Sequence, residues 1–131
     1  MLVGIIASIW LAATLNYTCG NRVGPTLQAC PGCDLSGFQG SHGNFAGADL
    51  SGARLTGARL NGAQMQNSIL KRANLEGANL FAADLTDANL IGASLIGAKL
   101  DGVIFTGAFI HDAYFCDRHL TNQLGKQHRC Q

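Results

Sequence analysis

A large apolar residue stands at nearly every fifth position from Leu35 to Phe115, and this period restricts what the chain can fold into more than any other feature. Seventeen consecutive five-residue units fit one frame over residues 33–117 without insertion. The central place is held by eleven leucines, by Phe45, Phe105, Phe115, Met65 and Ile110, and once by Gly40. Two residues before the centre, twelve of the seventeen places are Ala, the others being Cys33, Phe38, Gly43, Ser68 and Val103. Two residues after it, Gly recurs ten times. On an α-helix, residues five apart are rotated by about 140°, so the leucines would spiral around the whole surface. On a flat strand they alternate between faces, and every second one would meet water. Both difficulties vanish if the chain turns a corner within each unit, with Gly supplying positive φ at the bend, so that every Leu returns to one shared interior. The small residue two places earlier then shares a narrow tube with the Leu, where a second large side chain would overpack it.

The units AGADLSG, GARLTG, GARLNG, RANLEG and GANLFA follow an A(D/N)LxG pattern that resembles the pentapeptide-repeat family. The resemblance implies an all-β fold, a right-handed quadrilateral β-helix of about four coils with short N-terminal and C-terminal caps. With four units per coil, residues twenty apart stack, giving inward columns such as Leu35, Leu55, Leu75, Leu95 and Phe115. At about 4.8 Å per coil the body is only about 20 Å long. Phe38 and Gly40 invert the small-then-large order within one unit, and the Phe38 ring is expected to fill the volume that Gly40 vacates.

Residues 1–15 are apolar apart from Ser8 and Thr14 and precede a polar stretch over 16–21, the order of a secretory signal. Residues 1–20 are therefore expected to be a signal peptide, with an uncleaved membrane anchor over residues 1–15 as the alternative. A helix of that length spans roughly 22 Å, against about 30 Å of hydrocarbon. Residues 21–32 are expected to form an N-terminal cap, 33–117 the β-helix and 118–131 a C-terminal cap. Cleavage after Gly20 removes Cys19 and leaves four cysteines, an even number that suits two disulfides in an exported chain. The two remaining pairs lie at opposite ends of the body, and a disulfide needs Cα atoms within about 7 Å, so Cys30 is expected to join Cys33 and Cys116 to join Cys130. The CPGCDLSG entrance and the two-cysteine tail resemble exported members of the family from cyanobacteria and the thylakoid lumen, which leaves periplasm, lumen and extracellular space open.

Nine basic and eight acidic residues give a net charge of +1, which indicates neither a nucleic-acid partner nor an acidic mimic of one. No nucleophile, base and orienting group fall together, and a packed tube offers no ligand pocket, so no enzyme, cofactor or metal site is expected. Some relatives of the resembled family imitate DNA toward gyrase, the first alternative function, which requires a strongly acidic surface. Arg54, Arg59, Lys71 and Arg72 instead form a basic belt on the second coil, expected to pair with Asp34 and Asp49 below and with Glu76, Asp84 and Asp87 above. Cys30 and Cys33 have the spacing of a redox dithiol, which makes thiol–disulfide exchange the second alternative. The four histidines, His42, His111, His119 and His128, are scattered and are read as surface residues. Outward places should be polar, and Ile69, Ile91, Ile96, Phe109 and Tyr114 break that rule toward the C-terminal coils. They define a candidate interaction patch for a protein partner or a second copy of the chain, with Phe81 and Ile104 lying elsewhere.

Overall fold

The computed structural model describes residues 29–115, and within them every β-bridge is parallel and joins residues twenty apart. That register makes each coil four units long and gives the tube four sides. Side one stacks Asp34, Arg54 and Asn74 and ends in the paired strands β1 (Ser94–Leu95) and β2 (Tyr114–Phe115). Side two stacks Gln39, Arg59, Asn79 and Lys99, side three Asn44, Gln64, Asp84 and Ile104, and side four Ala29, Asp49, Ile69, Asn89 and Phe109. The expected all-β architecture is present as a ladder of single bridges, with only two regular strands among the described residues. The reason is geometric. Each flat side is about three residues long before the chain turns, too short for a run of consecutive bridge partners.

Each corner is a tight turn. The central carbonyl accepts from the N–H three residues on, as in Ala53 to Leu50 at 3.0 Å. The last turn residue takes positive φ throughout: eleven glycines lie between 64° and 70°, and His42, Asn67, Arg72, Ala82, Asp87 and Asp112 lie between 54° and 59°. Residues just before the centre add a second constraint. The Oδ1 atoms of Asp34, Asn44, Asp49, Asn74, Asn79, Asp84 and Asn89 accept from the backbone N–H two residues later, at 2.9 to 3.1 Å. These are Asx turns, and they explain why the outward place favours Asp or Asn rather than any polar residue.

The leucine columns fill the tube. Leu55, Leu75 and Leu95 are at most 1 % exposed and lie on successive rungs. Burying each such side chain stabilises the fold by roughly 1.5–3 kcal/mol. Ala residues line the same interior, and Ser68 stands among them with its hydroxyl lacking any hydrogen-bond partner. Toward the C-terminal end, Val103, Phe105, Ala108 and Ile110 are only partly buried.

Of the expected N-terminal cap over residues 21–32, residues 21–28 lie outside the described residues, and residues 29–32 belong to the first coil. Ala29 already bridges to Asp49, the Cys30 N–H donates to the Asp49 carbonyl at 2.7 Å, and Gly32 has φ 70°. Cys30 thus occupies a central place in the five-residue frame, and Pro31-Gly32 forms the corner that the other units make with other residues. The coil geometry is in place one unit earlier than Cys33 because a buried sulfur side chain substitutes there for Leu.

Candidate interaction surface

The disulfide joins Cys30 to Cys33 with their Cα atoms 5.4 Å apart. It links the central residue of one unit to the Ala place of the next, across the inside of a corner, and the two residues are 2 % and 5 % exposed. A thiolate from another protein would have to reach sulfur buried inside the tube, which is poor geometry for thiol exchange. Cys116 and Cys130, together with the segments 1–20 and 118–131, lie outside the described residues.

The five patch residues fall on two adjoining sides. Ile69 and Phe109 stand on side four, 39 % and 59 % exposed, with Asn89 on the rung between them. Tyr114 stands on side one, 59 % exposed, and Ile96 is exposed at the following corner. Ile91 departs from the expectation: it is half-buried at the corner between sides four and one. Its carbonyl accepts from Arg72 below, and the neighbouring Gly92 N–H donates to His111 above, so rungs on both sides cover it. Ile104 joins the exposed group on side three, and with Ile96, Phe109 and Tyr114 it makes the last coil the most apolar on its outside. Phe81 is exposed on side two.

The basic belt is less paired than its position suggests. Among the described residues, one carboxylate of the neighbouring coils reaches it: Asp34 approaches Arg54 at 3.7 Å. Three of the other four acids are engaged by nearer hydroxyls and amides. Asp49 accepts from the Ser51 hydroxyl, Asp84 from the Thr86 hydroxyl and Gln66, and Glu76 from Ser94. The same bonds set the acidity of Asp34, Asp49 and Asp84. In each the side-chain hydroxyl two residues on, followed by that residue's backbone N–H, holds the carboxyl below its ordinary value of 3.8. His42 takes positive φ and lays its ring over Gly62, and His111 contacts Asp112 at 3.3 Å.

A tube with four flat sides, one five-residue unit for each side and its corner, and glycine-type corners defines a pentapeptide β-helix. A family model described as pentapeptide repeats matches the chain in eight copies, over residues 44–80 and 83–122. The chain belongs to the pentapeptide-repeat family. It is similar to the crystal structure of a pentapeptide repeat protein from the Arabidopsis thaliana thylakoid lumen, with 33 % identity and a TM-score of 0.52, covering 70 % of this chain and 66 % of that one. It also matches HetL, a pentapeptide repeat protein involved in heterocyst differentiation regulation in the cyanobacterium Nostoc, with 30 % identity and a TM-score of 0.35, over 67 % of this chain and 47 % of HetL. A second Nostoc pentapeptide repeat protein matches with 27 % identity and a TM-score of 0.39, over 84 % of this chain and 78 % of that one. The chain therefore spans about two thirds of the lumenal protein's length and about half of HetL's. No curated protein matches it.

Proposed function

We propose that this chain is an exported, non-catalytic scaffold that presents the outside of its C-terminal coil to a protein partner. The observation that carries this reading is the exposure of Phe109 and Tyr114, 59 % each, on adjoining sides of one coil. Bulky aromatic groups on a rigid wall are the anchors around which interfaces are built. Export is supported by the apolar order of residues 1–15, by a disulfide built into the first coil and by the likeness to a thylakoid-lumen protein. The scaffold reading is supported by an interior filled with Leu and Ala, which leaves the outside wall as the place where recognition can occur.

The test is capture of partners from the exported fraction with the full chain and with Phe109→Asp/Tyr114→Asp. The variant is expected to lose the partner by more than tenfold, the scale of about 1.4 kcal/mol or more per lost anchor, while its thermal unfolding stays within a few degrees of the parent. A partner held equally by both chains overturns the patch. Sequencing the mature amino terminus tests export separately: cleavage near Gly20 supports it, and an intact residue 1 in the cell's internal fraction removes it.

A further inference from the structure

Seven corners of the tube close on an Asp or Asn oxygen of their own chain, and those of the second coil do not. Over residues 53–72 the outward places hold Arg54, Arg59, Gln64 and Ile69, so nothing caps the corner N–H groups of Thr56, Asn61, Gln66 and Lys71. None of the four has a hydrogen-bond partner among the described residues. The same coil carries four cations and no acid. The coil below it has Asp34 and Asp49, and the coil above has Glu76, Asp84 and Asp87.

The corner between sides four and one concentrates this character. Lys71 and Arg72 stand there together, both exposed and neither in an ion pair among the described residues. The corner lies inside the ladder: the Gly52 N–H below donates to the Lys71 carbonyl, and the Arg72 N–H donates to the Ile91 carbonyl above. Arg72 keeps a bulky side chain at φ 59° in a place that is Gly on both neighbouring rungs, so no side chain at Gly52 or Gly92 screens it. The acids on this edge of the tube are held by their own chain, Asp49 by Ser51 and Asp112 against His111.

The rung below shows what such a corner binds. Asp49 Oδ1 accepts from the Ser51 hydroxyl at 2.6 Å and from the Ser51 N–H at 3.0 Å, and these two donors keep its carboxyl below the ordinary value. At Lys71 the N–H is the same, an ammonium replaces the hydroxyl, and Ile69 replaces the acid. A carboxylate from outside the chain would find the donors that Asp49 finds, with positive charge added.

We propose that the Lys71–Arg72 corner seats an Asp or Glu carboxylate of the protein partner, with exposed Ile69 against an apolar neighbour of that acid. The acids above and below select against a long polyanion. Nucleic acid or an anionic membrane would lay charge across those coils as well as across one basic coil about 4.8 Å high. An acidic side chain meets a single rung. The proposal rests on the C-terminal wall for the partner's position, since Phe109 stands two rungs above Ile69 on the same side.

The probe is an acetylated, amidated hexapeptide alternating Asp with Leu, titrated at low salt into the full chain while nuclear magnetic resonance follows the Lys71 amide. That amide is expected to shift, and the peptide with Asn for Asp should bind at least about threefold more weakly. Lys71→Gln/Arg72→Gly should weaken binding by about three- to tenfold, the scale of two exposed charge pairs, and stay folded because Gly suits this φ. Ile69→Asn keeps both cations but caps the Lys71 N–H internally, as Asn89 caps Ile91, and should abolish the shift, whereas Ile69→Gln should retain it. An unmoved Lys71 amide, equal binding of the two peptides, or no difference between Ile69→Asn and Ile69→Gln overturns the seat. Tighter binding at this corner of a single-stranded oligonucleotide or of vesicles containing anionic lipid overturns it too. The wall and the seat fail separately: the shift at Lys71 is expected in Phe109→Ser/Tyr114→Ser as well, so its absence from the parent removes the seat and leaves the wall to the capture experiment.

Discussion

The Phe38 ring stands where a side chain on Gly40 would have to be: a Cβ built on Gly40 lies 2.5 Å from Phe38 Cε1, 2.9 Å from Phe45 Cζ and 3.0 Å from Leu60 Cδ2. Phe38 and Phe45 meet edge to face, with centroids 5.8 Å apart, and Phe45 in turn crowds the place of a side chain on Gly43. Two rings thus fill the room left by two glycines, and the first coil keeps its packing while departing from the small-then-large order of the others.

Phe38→Ala should therefore be destabilising by about 3–5 kcal/mol, the range for losing a buried Phe. Gly40→Leu restores the family pattern locally yet should also destabilise, by about 1–3 kcal/mol, because the new side chain meets two rings. The double variant should recover much of both losses, giving a coupling energy of at least about 1 kcal/mol in denaturant unfolding. Additive effects would show that the ring and the glycine are unrelated.

Ser68 sits in the inward column between Ala48 and Ala88, 1 % exposed, and its hydroxyl finds no partner. A buried unsatisfied hydroxyl costs about 1–3 kcal/mol, whereas Ala at this place would match the units above and below. Ser68→Ala is expected to raise stability by about 1 kcal/mol, or roughly 4–8 °C in Tm for a domain of this size. A lowered Tm would mean that the hydroxyl bonds to a backbone carbonyl in solution.

Ala82 holds a φ of 54° at a corner where eleven other units use Gly. The left-handed region costs an L-residue about 1–2 kcal/mol, and the extra freedom of Gly in the unfolded chain returns about 0.4–1 kcal/mol. Ala82→Gly should therefore stabilise by about 0.5–1 kcal/mol. Arg72, with φ 59°, should benefit less from the same change, because its Cγ packs over Gly92, 3.4 Å from the place a Cβ would take there. Thermal unfolding of the two single variants checks the order.

Much of this fold is legible along the chain because its period is short and strict: Leu55, Leu75 and Leu95 point inward wherever the corners fall, and the twenty-residue register needs only the four-unit coil implied by the family. What escapes are features set by neighbours on other rungs. Cys30 is not a Leu and has Gln28 rather than Ala two residues before it, so its central place emerges only when Ala29 is seen bridged to Asp49. Ile91 reads as exposed from its place in the unit, yet the adjoining rungs half-cover it. The basic belt looks paired when only stacking is considered, whereas Ser51 and Thr86, each two residues along the same chain, reach the carboxylates first. The Asp-or-Asn preference carried that information, since an Asx turn needs an acceptor on a short side chain.

Those turns also set the response to acid. Asp34, Asp49 and Asp84 are held below 3.8 by hydroxyl and amide donors that exist only in the folded chain. Their folded-state acidity is greater than in the unfolded chain, so the unfolded state takes up protons first. The stability they contribute is complete above the unfolded value and is lost as the pH falls through the lowered folded values. Asn already makes the same turn at positions 44, 74, 79 and 89 without titrating. The triple variant Asp34→Asn/Asp49→Asn/Asp84→Asn should therefore unfold like the parent near neutral pH but lose less stability as the pH falls through the acid range. Urea unfolding across that range measures it. An acid limb of unchanged steepness would place the acid-sensitive groups elsewhere, and a large loss at neutral pH would mean that the carboxylate charge, rather than an acceptor oxygen, is what the turn requires.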